Sequence, residues 1–148
     1  MANYAENRKA RFNYEILEKY ETGIELLGTE VKSVRSGQMS LEGAFVIIRG
    51  GEAFLINANI PPYQPKNTEK DYDPLRNRKL LLTKKEIAGL ADSEKNKSLT
   101  IVPILVYNKG RKIKAEIALV KGKKKFDKRE TIKKRETDRE VRREYKGR

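Results

Sequence analysis

The 148-residue chain contains no cysteine, no histidine and no tryptophan. Without cysteine there can be neither a disulfide framework nor a thiolate metal site. Without histidine, imidazole is removed from every acid–base or zinc-binding role. There is no glycine-rich phosphate loop, no nucleophile elbow and no base near any serine, so the sequence reads as a protein that is not an enzyme and needs no cofactor. No apolar run approaches 18 residues, and the opening MANYAENRKAR lacks the apolar stretch of a secretory signal. Neither a membrane span nor export is expected, and the chain reads as a cytoplasmic monomer. The carboxylates that best suit a magnesium ion are Asp71 and Asp73, with Glu69 nearby. Asp followed by Pro is also ordinary turn chemistry, which makes this metal-dependent nuclease reading the weakest of those considered.

What the chain does have is positive charge. Lysine and arginine number 34 against 21 aspartate and glutamate, a net +13. Between Lys121 and Arg148 stand 14 basic and 6 acidic residues, so that end alone carries +8. A basic surface can serve solubility alone, but this density and asymmetry imply a polyanionic partner, nucleic acid above all.

Ahead of the basic end the pattern is mostly strands. In RKIKAEIALV, Ile113, Ala115, Ile117 and Leu119 share one face and Lys112, Lys114 and Glu116 the other, the period of a half-buried strand. LTIVPILVYN (99–108) is apolar on both faces, and the NKGR that follows supplies a hairpin turn. Pro103 cannot donate to a ladder, so it predicts an edge, a bulge or a barrel corner. AFVIIRGGEAFLINANI predicts a second hairpin turning at Gly50 and Gly51, and FNYEILEKYETGIELLG a third turning near Glu21 to Gly23. Six strands in sequential hairpins predict a mainly β, antiparallel sheet or small barrel. Two helices interrupt it: TKKEIAGLADSEK, with the capping box Thr83 and Glu86, and TEVKSVRSG (29–37), stopped by Gly37. Four of the five prolines, Pro61, Pro62, Pro65 and Pro74, lie in a long polar loop between the second hairpin and the capped helix.

Two clusters pair basic residues with aromatic or apolar neighbours. NRKARFNY (7–14) sets Arg8, Lys9 and Arg11 beside Phe12 and Tyr14, and RNRKLLL (76–82) sets Arg76, Arg78 and Lys79 ahead of an apolar run. Arginine can grip phosphate bidentately and stack on bases, and tyrosine can stack or hydrogen-bond, so both clusters read as phosphate clamps on RNA.

The fragments NRKAR, GTEVKS, NANI followed by PY, DPLRNRKLLL and GKKKFDKRETIKKRE stand in the order and spacing of the small protein B (SmpB) family, which the chain resembles from Asn7 onward. It departs from that pattern at Asp71, Tyr72, Asp73 and Pro74, where many members read Asn-His-Asp-Pro, and at Thr83, where the usual residue is histidine. The resemblance implies an oligonucleotide-binding-fold-like barrel of six antiparallel strands with two or three short helices. It implies binding to the tRNA-like domain of transfer-messenger RNA (tmRNA) and delivery of that RNA to stalled ribosomes in trans-translation. By motif it assigns RNA binding to Asn7, Arg8, Lys9, Arg11, Tyr14, Glu21, Glu30, Lys32, Arg35, Asn57, Asn59, Arg76, Arg78 and Lys79. Glu21 and Glu30 would repel phosphate, so they are expected to accept from base or ribose donors, or to hold a neighbouring arginine. The rival within the same class is a generic RNA-binding or ribosome-associated barrel.

Residues 1–122 thus read as an RNA-binding β-barrel domain and residues 123–148 as a basic tail. In the last 22 residues only Ile132, Val141 and Tyr145 offer much to bury. Glu130 with Lys133 and Lys134, Glu136 with Arg139, and Asp138 with Arg142 stand at helical spacing, each pair contributing about 0.2–0.5 kcal/mol. That barely offsets helix nucleation, so the tail is expected to be disordered when free and helical on a partner. By resemblance the partner is 16S ribosomal RNA in the decoding centre and empty mRNA channel, reached by Asp127, Lys128, Arg129, Lys133, Lys134, Arg135 and Arg139.

Overall fold

The computed structural model describes residues 3–64 and 71–122; Glu69, Pro65 and the whole basic tail, with the residues assigned to it above, lie outside the described residues. In chain order the elements are β1 (Asn3–Glu6), α1 (Arg8–Asn13), β2 (Tyr14–Gly23), α2 (Gly28–Arg35), β3 (Phe45–Arg49), β4 (Glu52–Ile56), β5 (Arg78–Leu80), α3 (Lys84–Glu94), β6 (Leu99–Lys109) and β7 (Lys112–Gly122). The strands form one antiparallel sheet in the order β2-β7-β6-β3-β4-β5, with β1 added beside β6.

The two ends of that sheet meet. Ile24, just past β2, bridges Leu80 of β5, Glu25 N–H donates to the Lys79 carbonyl at 2.9 Å, and Leu81 N–H donates to the Gly23 carbonyl at 2.9 Å. The sheet is therefore closed, which removes the exposed edges an open sheet would present. This closure explains the one misread hairpin. β2 runs unbroken through Glu21 and Thr22 and pairs with β7 as far as Gly23 opposite Lys114. Gly23 is not a turn glycine: a β-carbon there would stand 3.1 Å from Leu81 Cδ1, so its bare backbone admits the incoming strand. Seven strands replace the expected six among the described residues: the single strand β2 stands for the two expected there, and β1 and β5, only four and three residues long and with no alternation to announce them, are added.

The other two hairpins form as read. β3 pairs β4 from Phe45 opposite Ile56 to Arg49 opposite Glu52, and Gly50 and Gly51 turn at φ 59° and 74°. β6 pairs β7 over their whole length, around Gly110 at φ 62°. Pro103 marks a bulge, where the register shifts between Pro103 and Leu105. The freed carbonyls are not wasted: Asn7 N–H donates to the Ile104 carbonyl at 2.8 Å and Asn7 Nδ2 to that of Pro103 at 2.9 Å.

The helices follow their caps. Thr83 Oγ1 accepts from Glu86 N–H at 3.2 Å while Glu86 Oε1 accepts from Thr83 N–H at 3.0 Å, the reciprocal pair that starts α3. Gly37, at φ 79°, ends α2 by donating to the Val34 carbonyl at 2.9 Å. Inside the barrel Leu41, Leu55, Ile60, Leu80, Ile101 and Ile117 are buried together with Val34 of α2 and Leu90 of α3. A smaller cluster, Val102, Ile104, Ala118 and Val120, lies on the other face of β6 and β7 with Ala10 of α1 over it. Each fully buried aliphatic side chain contributes about 1.5–3 kcal/mol, so both helices are held chiefly by packing. Among the described residues no helix is long and apolar enough to cross a membrane.

Candidate nucleic-acid interface

The fold sorts the sequence-nominated residues into those that can meet a partner and those that hold the protein together. Arg78 belongs to the second group, which corrects its reading as a phosphate clamp. Its side chain is wholly buried. Nε and Nη2 donate to Glu30 Oε2 at 2.9 and 2.6 Å, Nη1 donates to the Ala58 carbonyl at 2.6 Å, and Nη2 also reaches the Pro74 carbonyl at 2.9 Å. A guanidinium so enclosed cannot touch a phosphate without breaking its ion pair.

Glu30 is equally buried and joins three segments. Its Oε1 accepts from Leu27 N–H at 2.8 Å, which starts α2, and its two oxygens also take Arg76 Nη2 and Nε, the latter at 3.1 Å. Tyr72 hydroxyl lies 3.1 Å from Oε2 and donates to the Ile60 carbonyl at 2.7 Å. Burial raises the Glu30 pKa, but the Arg76, Leu27 and Arg78 donors outweigh it and hold the carboxyl below its ordinary value. Of the two roles foreseen for this acid, holding neighbouring arginines is the one its geometry performs. Arg76, the outer partner, keeps 31% of its side chain exposed.

Asn7 is likewise a brace. It is 7% exposed, its Oδ1 accepts from Ala10 N–H at 3.1 Å to cap α1, and its amide fills the β6 bulge. The α1 cations are outside but matched: Arg8 and Arg11 lie 3.9 and 3.4 Å from Glu6 carboxylate oxygens, and Lys9 pairs with Glu42. Tyr14 is half-buried in the cluster beneath α1. Lys79 pairs with Glu52 at 3.1 Å, a bond that raises its pKa. Asn57 and Asn59 are exposed; Asn57 sits at φ 63°, and the backbone of Asn59 pairs with Ser40. The α1 cluster stands over β6, whereas Lys79 lies on β5 and Arg76 in the loop just before it, so the fold does not merge the two clusters.

Asp73 serves a turn: its Oδ1 accepts from Leu75 N–H at 2.9 Å. Among the described residues no group of three acids stands close enough to hold a metal ion, and Glu69 falls outside them.

Where cations do converge is the β6–β7 turn. A cleft of about 390 Å³ is lined by Gly23, Ile24, Val31 and Leu81 together with Arg35, Arg111, Lys112, Ile113 and Lys114. Arg35 Nη2 donates to the Arg111 carbonyl at 2.9 Å, and Lys32 is exposed on the same helix. Beside the cleft, Glu21 accepts from Tyr107 hydroxyl and, at 2.9 Å, from Lys109 Nζ. The Tyr107 and Lys109 hydrogen bonds keep the Glu21 carboxyl below its usual pKa, and burial together with Glu21 pushes Tyr107 up to about 12. Glu21, Lys32 and Arg35 were nominated from sequence. Tyr107, Lys109, Arg111, Lys112 and Lys114 were not, although the polar face of the last strand already displayed Lys112 and Lys114.

This arrangement offers a closed β-barrel with a cationic, partly apolar cleft and one oriented carboxylate beside it. The family model described as SmpB protein matches residues 4–147. A protein named SsrA-binding protein from Mesoplasma florum is 55% identical over 140 residues, covering 95% of this chain and 94% of its own length. Its namesakes from Thermosynechococcus vestitus and a Sulfurihydrogenibium species are 49% and 52% identical, over 97% of this chain and 95% and 93% of theirs. A solved structure, described as "tmRNA-SmpB: a journey to the center of the bacterial ribosome", superposes with a TM-score of 0.67 at 44% identity, over 86% of this chain and 92% of that one.

Proposed function

The chain belongs to the SmpB family, and from that membership we propose that it binds the tRNA-like domain of tmRNA and brings it to stalled ribosomes in trans-translation. The observation that carries the reading is the extent of the match: residues 4–147 take in both the barrel and the basic end, the two parts such a task needs. The partners are tmRNA and the ribosome, the work is cytoplasmic, and no catalytic step is required.

Within the barrel, the cleft beside Glu21 supplies the first RNA surface, with Lys32, Arg35, Lys109, Arg111, Lys112 and Lys114 neutralising backbone phosphates. Arg8, Lys9 and Arg11 on α1, with Arg76 and Lys79 near β5, offer further cations. Each phosphate neutralised adds roughly 0.9 to the salt slope on a duplex, less on single strands. Asn7, Glu30 and Arg78 act indirectly, by holding α1, α2 and β5 in place. Residues 123–148 form the second part: Asp127, Lys128, Arg129, Lys133, Lys134, Arg135 and Arg139 engage 16S ribosomal RNA in the decoding centre and vacant mRNA channel.

Fluorescence anisotropy with labelled tRNA-like domain and with plain duplex RNA, both at physiological salt, tests the reading. At least tenfold preference for the tRNA-like domain is expected. Equal affinity would make the protein a general RNA-binding barrel instead.

A further inference from the structure

We infer that Tyr107 is a positioning residue for RNA recognition, and that with Lys109 it holds the Glu21 carboxylate as a reader of the Watson–Crick edge of an unpaired guanine. The inference rests on the RNA-binding reading above and says which group on the RNA that surface selects.

Three strands build the arrangement. Glu21 lies on β2 and Tyr107 and Lys109 on β6, with β7 between them. In the ladder Glu21 stands opposite Glu116 of β7, and Lys114, two residues earlier on the same face of β7, stands opposite Tyr107. The Glu21 side chain reaches across β7, so that Oε2 meets the Tyr107 hydroxyl and Oε1 the Lys109 ammonium, 2.9 Å away. Glu116, which would repel Glu21, is engaged by Lys19 at 3.3 Å. Tyr107 is only 6% exposed, so packing fixes its ring and only the hydroxyl is free to serve a neighbour. Glu21 keeps 40% of its side chain exposed.

An ionised carboxylate accepts through about two sites on each oxygen. Tyr107 and Lys109 occupy one on each, which sets the plane of the group and leaves one site per oxygen facing outward. Such a group repels phosphate and cannot bind a base carbonyl or a ring nitrogen that carries no hydrogen. It needs two donors side by side. Guanine alone presents that pair, N1–H beside the N2 amino group. Adenine and cytosine each set their amino group beside an acceptor, and uracil flanks its imino group with two carbonyls. Unpaired loop bases expose this edge in folded RNA. The surrounding Lys109, Lys114 and Arg111 hold the adjoining phosphates, and orienting the carboxylate in the free protein removes that entropy cost from binding.

Binding of the labelled tRNA-like domain of tmRNA is measured with the full chain, Tyr107→Phe, Glu21→Gln and the double variant. Tyr107→Phe keeps the ring's packing and is expected to weaken binding roughly fivefold, as loss of a charge-assisted hydrogen bond would. In the Glu21→Gln background the same change should cost less than about twofold, because the hydroxyl then has no carboxylate to orient. Inosine placed singly at each unpaired guanosine removes the N2 amino group. One position should weaken the parent protein about tenfold and leave Glu21→Gln unaffected. An equal loss from Tyr107→Phe in both backgrounds, or no inosine position whose effect depends on Glu21, overturns the inference while leaving tmRNA binding intact. Should Tyr107→Phe prove unstable, Lys109→Ala repeats the cycle: loss of its phosphate contact is common to both backgrounds, and a further severalfold loss in the parent alone is expected from its hold on Glu21, whereas equal losses overturn the inference. If the parent protein shows no preference for the tRNA-like domain, the functional reading falls and takes this inference with it.

Discussion

Glu30 Oε2 lies 2.6 Å from Arg78 Nη2, and neither side chain has any exposed surface. One carboxylate thereby ties the start of α2 to β5 and, through Arg76 and Tyr72, to the return of the proline-rich loop. Such a pair adds little if both partners are replaced by well-fitting apolar groups, but removing one strands the other in a dry interior.

Glu30→Gln is therefore expected to destabilise the folded protein by about 3 kcal/mol, leaving two arginines without their counter-charge. In thermal unfolding that corresponds to a fall of roughly 10 °C for a domain of this size. A shift of only a degree or two would show that the pair is not what joins these elements.

The same carboxylate should dominate part of the acid limb of stability. Its folded-state pKa lies below the ordinary 4.5, so folding favours the ionised form. Stability from this group is fully present above that ordinary value and is lost as the pH falls from there through the depressed folded value. Melting temperatures of the parent and Glu30→Gln proteins should be far apart at neutral pH and draw together below about pH 4.5. A gap that stays constant into acid would contradict the assignment.

Asn57 poses a different question, since its φ of 63° is one that side chains other than asparagine and glycine resist. Asn57→Gly should fold about as well as the parent, while Asn57→Val should lose roughly 1–2 kcal/mol. RNA affinity then separates two roles: unchanged binding by Asn57→Gly would mean that the amide contacts no RNA and the residue is there for its backbone.

A chain ending at Gly122 retains every strand of the barrel. It should bind the tRNA-like domain with affinity close to that of the full chain yet fail to rescue stalled ribosomes in a reconstituted translation assay. Loss of both activities at once would contradict the division of labour between barrel and tail.

Legibility in the sequence followed the range of the signal. The β6–β7 hairpin could be read directly, since Ile113, Ala115, Ile117 and Leu119 alternate with polar residues, and α3 announced itself through Thr83 and Glu86. β2 was broken into a hairpin because Thr22 and Gly23 look like a turn when only neighbours in the chain are considered. The Gly23 backbone is in fact reserved for Leu81, which arrives from β5. Among site residues, Glu21, Lys32 and Arg35 were recognisable by motif and stand beside the cleft. Arg78 was not distinguishable from Arg76 in RNRKLLL, although one is sealed in the interior and the other half-open.

The sequence by itself determined the chemistry available: a strongly cationic surface, no imidazole or thiol, helices with caps and strands with faces, all matters of composition or of spacing within one segment. Only the tertiary structure decided which charges are used inside and which outside. Glu30 and Arg78, 48 residues apart, become partners because closing the barrel buries both at the same place. Tyr107 acquires the Glu21 carboxylate because two strands that are distant in the chain lie one strand apart in the sheet. Burial and proximity depend on everything packed around a residue, so no local pattern can encode them.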